Sequence, residues 1–263
     1  MFIHNLDPIL FDLGFIEVRW YSLAYIFGIL IGWWYGKKII IQKSVDLDNN
    51  SEARVFDDLI TYLVISIIIG GRIGYVIFYN FNYYINNPLE IIKIWEGGMS
   101  FHGALIGIIL GTYVFSKKNK IKVFFFLDVI ACVAPMGIFL GRIANFINSE
   151  LVGKVSDIQW SVIFPLIDES PRHPSQIYEA LLEGIILFYI LRYVINRKGY
   201  KIGNCSCVFL IVYGLFRIIS ELFREPDAHI GYLFGLMSTG TFLSIIMIFS
   251  GLILFNFLKK NEK

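Results

Sequence analysis

The sequence predicts an all-α, polytopic integral membrane protein built as one domain over residues 1–263. Composition is the first reason: 56% of the residues are hydrophobic and 17% are charged, where a soluble domain carries about 25% charged residues. The mean hydropathy is +0.64. The second is the length of the apolar runs. Val123 to Leu140 and Phe242 to Leu258 approach the ~20 helical residues that cross a hydrocarbon core. Lipid offers no partner to backbone N–H and C=O groups, so each crossing must be helical.

Seven transmembrane helices are expected, over residues 20–36, 58–79, 99–115, 124–146, 175–195, 203–222 and 237–258. Asp7, Asp12 and Glu17 precede the first, where a signal peptide would carry Lys or Arg, and no small-residue cleavage site follows. Trp20 and Tyr21 suit an outer interface, Trp33, Trp34 and Tyr35 an inner one, and Tyr79, Tyr83, Tyr84 and Trp95 an outer belt. Fifteen of the 23 Lys and Arg fall at one set of helix ends, in the stretches 37–54, 117–122, 192–201 and 259–263. Five fall at the other: Arg19, Lys93, Lys154, Arg172 and Arg224. Positive charge stays inside, so the N-terminus is expected outside and the C-terminus in the cytoplasm. Residues 148–174 then form a small extracytoplasmic loop region.

Cys132, Cys205 and Cys207 are odd in number and include a C-x-C pair, which argues against a disulfide framework and for small buried hydrophobes. No H-E-x-x-H or Cys/His ligand spacing exists, so neither a metal nor a cofactor is expected. His173 and His229 read as loop histidines. Lys117 to Lys122 reads as a solvated run touching anionic lipid heads, and no nucleic-acid partner is expected.

A charge at mid-bilayer costs about 2.5–3.5 kcal/mol on insertion scales, so an intramembrane Arg is first read as functional. With the orientation above, the polar residues collect at the outer ends of six helices. They are Tyr21, Arg72, His102, Arg142 with Asn145, Tyr178 with Glu179, and Arg217 with Glu221; Asn148 and Glu150 follow just outside. Tyr213, Arg217, Glu221 and Arg224 repeat at i, i+4, i+8 and i+11 on one helix face. Gly103, Gly107 and Gly111 make a small-residue strip that lets another helix approach, and Gly137 and Gly141 do the same beside Arg142. Gly70, Gly71 and Gly74 surround Arg72.

Each of these also has a structural reading. Arg217 and Glu221 make a neutralising i, i+4 pair, Arg72 a cap for loop carbonyls, Tyr21 an interface anchor, and His102 a packing residue. As chemistry, several Arg at outer headgroup level make a phosphate site, because the guanidinium fork matches phosphate oxygens and keeps its charge when desolvated. Asn145, Asn148 and Tyr21 suit glycerol or ester oxygens, and Glu150 or Glu221 could hold an Arg. His102 titrates in the range useful for proton transfer. No nucleophile elbow and no outer Cys is present, so the nucleophile is expected from a substrate. Polar groups crowded at one face with no inverted repeat argue against a transporter. The lack of a D-x-x-D-G run argues against a metal-dependent phosphatidyltransferase, and the lack of intramembrane Ser/His, paired Asp or zinc motifs against a protease.

The stretch Gly141-Arg142-Ile143-Ala144-Asn145-Phe146-Ile147-Asn148-Ser149-Glu150-Leu151-Val152-Gly153 closely resembles the G-R-x-x-N-F-I-N-x-E-x-x-G hallmark of prolipoprotein diacylglyceryl transferases. The blocks 70–75, 97–103, 172–179 and 213–217 resemble others of that family, in its order and over nearly the whole chain. The resemblance implies a multi-pass enzyme of the bacterial inner membrane. It would move the diacylglyceryl group of phosphatidylglycerol onto the lipobox cysteine thiol of a preprolipoprotein. It implies that Arg142 and Arg217 flank the phosphate and that His102 helps deprotonate the thiol, with Arg-assisted thiolate formation as the alternative. Tyr21, Asn145, Glu150, Gly153 and Glu221 match further family positions tied to activity; Tyr213 and Arg72 are expected beside the lipid, and Gly153 in a turn. Two departures stand out. Ala104 follows Gly103 where the family commonly has a second Gly, and the loop from Lys154 to Arg172 is short.

Overall fold

The structure, a computed structural model, describes residues 2–14, 17–43, 49–226, 232–233 and 237–260. His229 and Lys263 lie outside them. Helices occur at all seven expected positions. In chain order they are α1 Trp20–Lys43, α2 Asn49–Tyr79, the short α3 Phe81–Asn86, α4 Phe101–Asn119 and α5 Val123–Ile147. There follow α6 Ser175–Glu179, a π-helical segment Ala180–Ile186 and α7 Leu187–Asn196 as one continuous run, then α8 Asn204–Glu221 and α9 Thr239–Lys260.

Five of these are long and apolar enough to cross a membrane: Trp20–Lys43, Val55–Tyr79, Val123–Ile147, Asn204–Glu221 and Thr239–Lys260. The protein is a multi-pass membrane protein. The other two expected spans fall short for visible reasons. The 19-residue α4 carries His102, Lys117 and Lys118. The α6–α7 run is divided by the π segment and carries Glu179, Glu183 and Arg192. Helices α1 and α2 extend past their expected ends into charged turns, because Lys, Glu and Arg are good helix formers once outside lipid.

The expectation of an all-α chain needs one correction. Where water and loops replace lipid, short strands form. β1 Phe2–Ile3 pairs in parallel with β4 Val162–Ile163, which pairs antiparallel with β5 Pro171–Arg172. β2 Ile9–Asp12 pairs with β3 Glu17–Arg19, and β6 Tyr232–Leu233 with β7 Met237–Ser238. Val152, Val162 and Phe164, with Phe146 against them, form the small core under the first sheet.

The chain divides into two compact units, Lys37–Leu127 and Met1–Gly36 with Asp128–Lys263. In the first, α2 and α4 run antiparallel along their glycines. A Cβ on Gly103 would strike the Gly70 carbonyl oxygen and lie 2.7 Å from Gly74 Cα; one on Gly111 would lie 2.9 Å from Ser66 Cβ. Backbones this close gain dispersion over a long seam, which is how helices associate where burial from water gives nothing. At the end of α2, buried Arg72 spends all five of its N–H donors on backbone carbonyls: Ile91 (2.8 Å), Glu90 (2.7 Å), Lys93 (3.1 Å), Gly98 (3.3 Å) and Gly97. Its guanidinium also lies over the Tyr84 ring. Arg72 therefore ties the 88–98 loop to α2, and no donor remains for the lipid phosphate expected above.

In the second unit, Gly28 of α1 lets the backbone of α5 in: a Cβ there would be 3.2 Å from Gly137 Cα. Gly214 and Gly251 do the same between α8 and α9. Asp128, fully buried, accepts hydrogen bonds from Tyr200 Oη (2.7 Å), Gly203 N (2.7 Å), Ser206 N (2.7 Å) and Ser206 Oγ (2.6 Å). Its carboxylate caps the first turn of α8, whose N–H groups and dipole favour an anion.

Gly103→Ala is expected to force α2 and α4 apart and to lower the midpoint of thermal unfolding in detergent, a cost of about 1–3 kcal/mol for an overpacked contact. Wild-type melting would show that the seam gives way freely.

Candidate functional site

The second unit buries an ion cluster at the junction of α5, α6, the π segment and α8. Glu179 ends α6 and Glu183 lies one turn on, both 0% exposed. Arg142 reaches them from α5: its Nε stands 2.9 Å from Glu179 Oε2 as an ion pair, and its Nη2 donates to Glu183 Oε2 at 3.2 Å. Arg217 reaches them from α8, its Nη1 donating to Glu179 Oε1 at 2.7 Å and lying 3.6 Å from Glu183 Oε1. Arg217 Nη2 donates to Glu221 Oε1 at 2.5 Å, one turn along the same helix. Arg224 Nη1 stands 3.7 Å from both Glu179 Oε1 and Glu221 Oε1. Ser238 Oγ donates to the other oxygen of Glu221 at 2.7 Å. A Cβ on Gly240 would lie 2.6 Å from Glu221 Oε1, so a side chain there would displace the pair.

Three guanidinium groups thus meet three carboxylates, and the formal charges cancel. Burying so many ions is tolerable only because each has a partner in hydrogen-bond or ion-pair range. The pairing is not complete. No described residue takes Arg142 Nη1, and the Arg142 side chain remains 14% exposed. Beside it, a Cβ on Gly137 or Gly141 would meet nothing within 4 Å. The close helix contact expected at Gly141 is absent among the described residues, which leave that face of α5 open.

Asn145, one turn beyond Arg142, donates through Nδ2 to Glu150 Oε2 at 3.0 Å, and Asn148 Nδ2 donates to Glu150 Oε1 at 3.3 Å. Gln176 Nε2 donates to the Glu150 carbonyl at 2.6 Å, joining this group to α6. Tyr21 Oη accepts from Tyr25 Oη at 3.3 Å, with the two rings edge to face. Tyr213 is 1% exposed and lies flat on Phe209. It lies one turn before Arg217 on the same face of α8. His102 is the second residue of α4, in the other unit, behind the Ser100 cap and edge-on to Phe101.

Gly153 is not in a turn. Its N–H donates to the His173 carbonyl (3.1 Å), and its own carbonyl accepts from Arg172 Nη1 (3.0 Å). It also bridges to Arg224. A Cβ there would strike His173 O and lie 2.8 Å from Phe223 O. Glycine is required because three backbones converge, and that convergence holds Arg224 beside the cluster. Arg172 also clamps Asp168 (Nη2 to Oδ2, 2.5 Å), which holds that carboxyl below the usual range. Burial and the charge of Lys154 hold His173 below the usual imidazole value.

The sequence reading gave Glu183 no role and left Glu179 and Arg224 unassigned. A signal was there. Two carboxylates at i, i+4 in an otherwise apolar helix demand cations, and Arg142 and Arg217 were the available ones.

Glu179→Ala is expected to leave the guanidinium groups in charge excess in a buried site and to destabilise the protein by about 3–5 kcal/mol, read by thermal unfolding in detergent. A wild-type melting curve would mean that the cluster is solvated.

The model of the prolipoprotein diacylglyceryl transferase family matches residues 8–257. The chain is 47% identical over 253 residues to the phosphatidylglycerol–prolipoprotein diacylglyceryl transferase of Brucella anthropi, covering 94% of this chain and 90% of the relative. It is 49% identical over 253 residues to the protein of that name in Rickettsia typhi, covering 95% and 96%. With the family model spanning nearly its whole length and relatives this similar from end to end, the chain belongs to the prolipoprotein diacylglyceryl transferase family.

Proposed function

We propose that the protein transfers the sn-1,2-diacylglyceryl group of phosphatidylglycerol to the lipobox cysteine of preprolipoproteins, the first step of bacterial lipoprotein maturation. The cysteine sulfur attacks the sn-3 carbon of the diacylglyceryl group. A carbon–sulfur thioether bond forms, the carbon–oxygen bond to phosphate breaks, glycerol phosphate leaves with the bonding electrons, and the thiol gives up its proton. The reaction runs at the outer face of the inner membrane, in a single domain of seven spans with the N-terminus outside and the C-terminus in the cytoplasm.

One observation carries this reading: Arg142 and Arg217, from different helices, share the single buried carboxylate of Glu179, at 2.9 and 2.7 Å. A rigid pair of guanidinium groups is what a departing phosphate ester needs, because donors fixed in advance stabilise developing charge without reorganising. Arg142 Nη1 and the open face at Gly137 and Gly141 give a headgroup a place to arrive. Asn145, held by Glu150, and Tyr21 take the glycerol and ester oxygens. Glu221 keeps Arg217 in place, and Gly153 keeps Arg224 there. His102 takes the thiol proton. The unengaged Arg142 Nη1 favours a second route to the thiolate, in which guanidinium charge lowers the thiol pKa.

The direct test incubates purified protein with phosphatidylglycerol and a lipobox peptide, then reads the peptide by mass spectrometry. A diacylglyceryl adduct on sulfur is expected, and an unmodified peptide would overturn the reading. Arg142→Ala is expected to lower the rate about 10²-fold or more while the protein still inserts; normal turnover would remove Arg142 from the mechanism. His102→Gln is expected to slow turnover about 10²-fold at saturating lipid. Unchanged turnover would leave thiolate formation to the charge of Arg142.

A further inference from the structure

The helix that carries Arg142 and Asn145 stops in a way that its own sequence does not favour. Ser149 N donates to Phe146 O (3.0 Å) and Glu150 N donates to Asn145 O (2.9 Å). This is the double bond of a Schellman ending, with Ser149 at the residue that must turn left-handed. Ser149 does so, at φ 56. Glycine is the usual occupant there, since a Cβ crowds the following carbonyl. Serine has no such freedom and must be held.

The holder comes from the other end of the chain. His4 follows β1, and its N–H donates to Ile163 O (2.9 Å), continuing the β1–β4 pairing. Its ring lies edge-on to Phe146 at 5.1 Å and tilted on Phe164 at 5.2 Å. His4 Nδ1 and Ser149 Oγ are 3.1 Å apart, and both residues are buried. Burial pushes His4 below the ordinary imidazole value of 6.5, against nearby backbone oxygens that include Phe146. A neutral ring has one nitrogen able to accept the Ser149 hydroxyl. The next residue is Glu150, whose carboxylate takes Asn145 and Asn148.

We infer that His4 is a positioning residue for the reaction: through Ser149 it holds the left-handed ending of α5 that sets Glu150 against Asn145. This rests on the reading of Asn145 and Glu150 as part of the substrate site.

Glycine at 149 needs no tether, so Ser149→Gly should make His4 dispensable. Full-length His4→Leu, Ser149→Gly and the double variant are compared by thioether formation and by hydrogen exchange at the Ser149 and Glu150 amides. His4→Leu is expected to lower kcat about fivefold, the loss of one hydrogen bond, and to speed exchange at both amides. Ser149→Gly should stay near wild type, and the double variant should return to within about twofold of Ser149→Gly. A double variant as slow as His4→Leu overturns the inference, as does a His4→Leu protein unchanged in rate and exchange. If His4→Leu does not accumulate as folded protein, recovery of the double variant supports the tether and its failure to recover overturns it. Slowed exchange on Ser149→Gly rescue, in a protein that forms no thioether even as wild type, would keep the tether and sink the function assigned to Asn145 and Glu150.

Discussion

Glu179 is the constraint on which the rest of the site depends. A single carboxylate with no exposed surface pairs with Arg142 on one oxygen and accepts from Arg217 on the other, with Arg224 close by. Neither arginine could sit at this depth alone, and neither could the acid. Held together, they convert charges that the membrane would reject into a fixed pair of donors. Glu183 and Glu221 complete the neutralisation from either side. The glycines at 153 and 240 are explained by the same requirement, since each makes room for a cluster member or for the backbone that holds one.

The chain buries a second carboxylate by a different means. Asp128 pairs with no arginine among the described residues; it is satisfied by four hydrogen bonds at the start of α8. The contrast separates two kinds of buried charge. Asp128 is saturated by backbone and hydroxyl donors, which fixes a helix end. The α5–α8 cluster is held by long side chains and retains an uncommitted donor at Arg142. Arg72 is of the first kind although it is a cation, with every donor spent on the 88–98 loop.

Much of this was legible in the sequence. The positions of seven helices followed from apolar runs, and Arg142, Arg217 and Glu221 from helical spacing and the cost of charge in lipid. Gly103 and Gly107 announced a close helix seam, which formed between α2 and α4. Other features had no local signature. Whether Arg72 faces lipid headgroups or loop carbonyls depends on where residues 90–98 return, and spacing does not encode that. The strands within 2–19 and 148–174 are two to four residues long, too short for an alternation pattern to declare itself, and β1 pairs with β4, some 160 residues away. Gly153 read as a turn because glycine usually signals one; here it signals a crossing. The roles of Glu179 and Glu183 needed only the question of which cations answer them.

The π segment at Ala180–Ile186 separates two halves of one rod. On its N-terminal side, Glu179 must face the arginines. On its C-terminal side, Leu187, Leu191 and Ile195 must face the apolar interior. A wider turn between them resets the rotational phase, so each half can be tuned by selection without dragging the other out of alignment. Losing one residue there would swing the far half by about 100°, turning its oily stripe away from its neighbours. Insertions and deletions should therefore be far rarer in this stretch than in the loops on either side of the α6–α7 run.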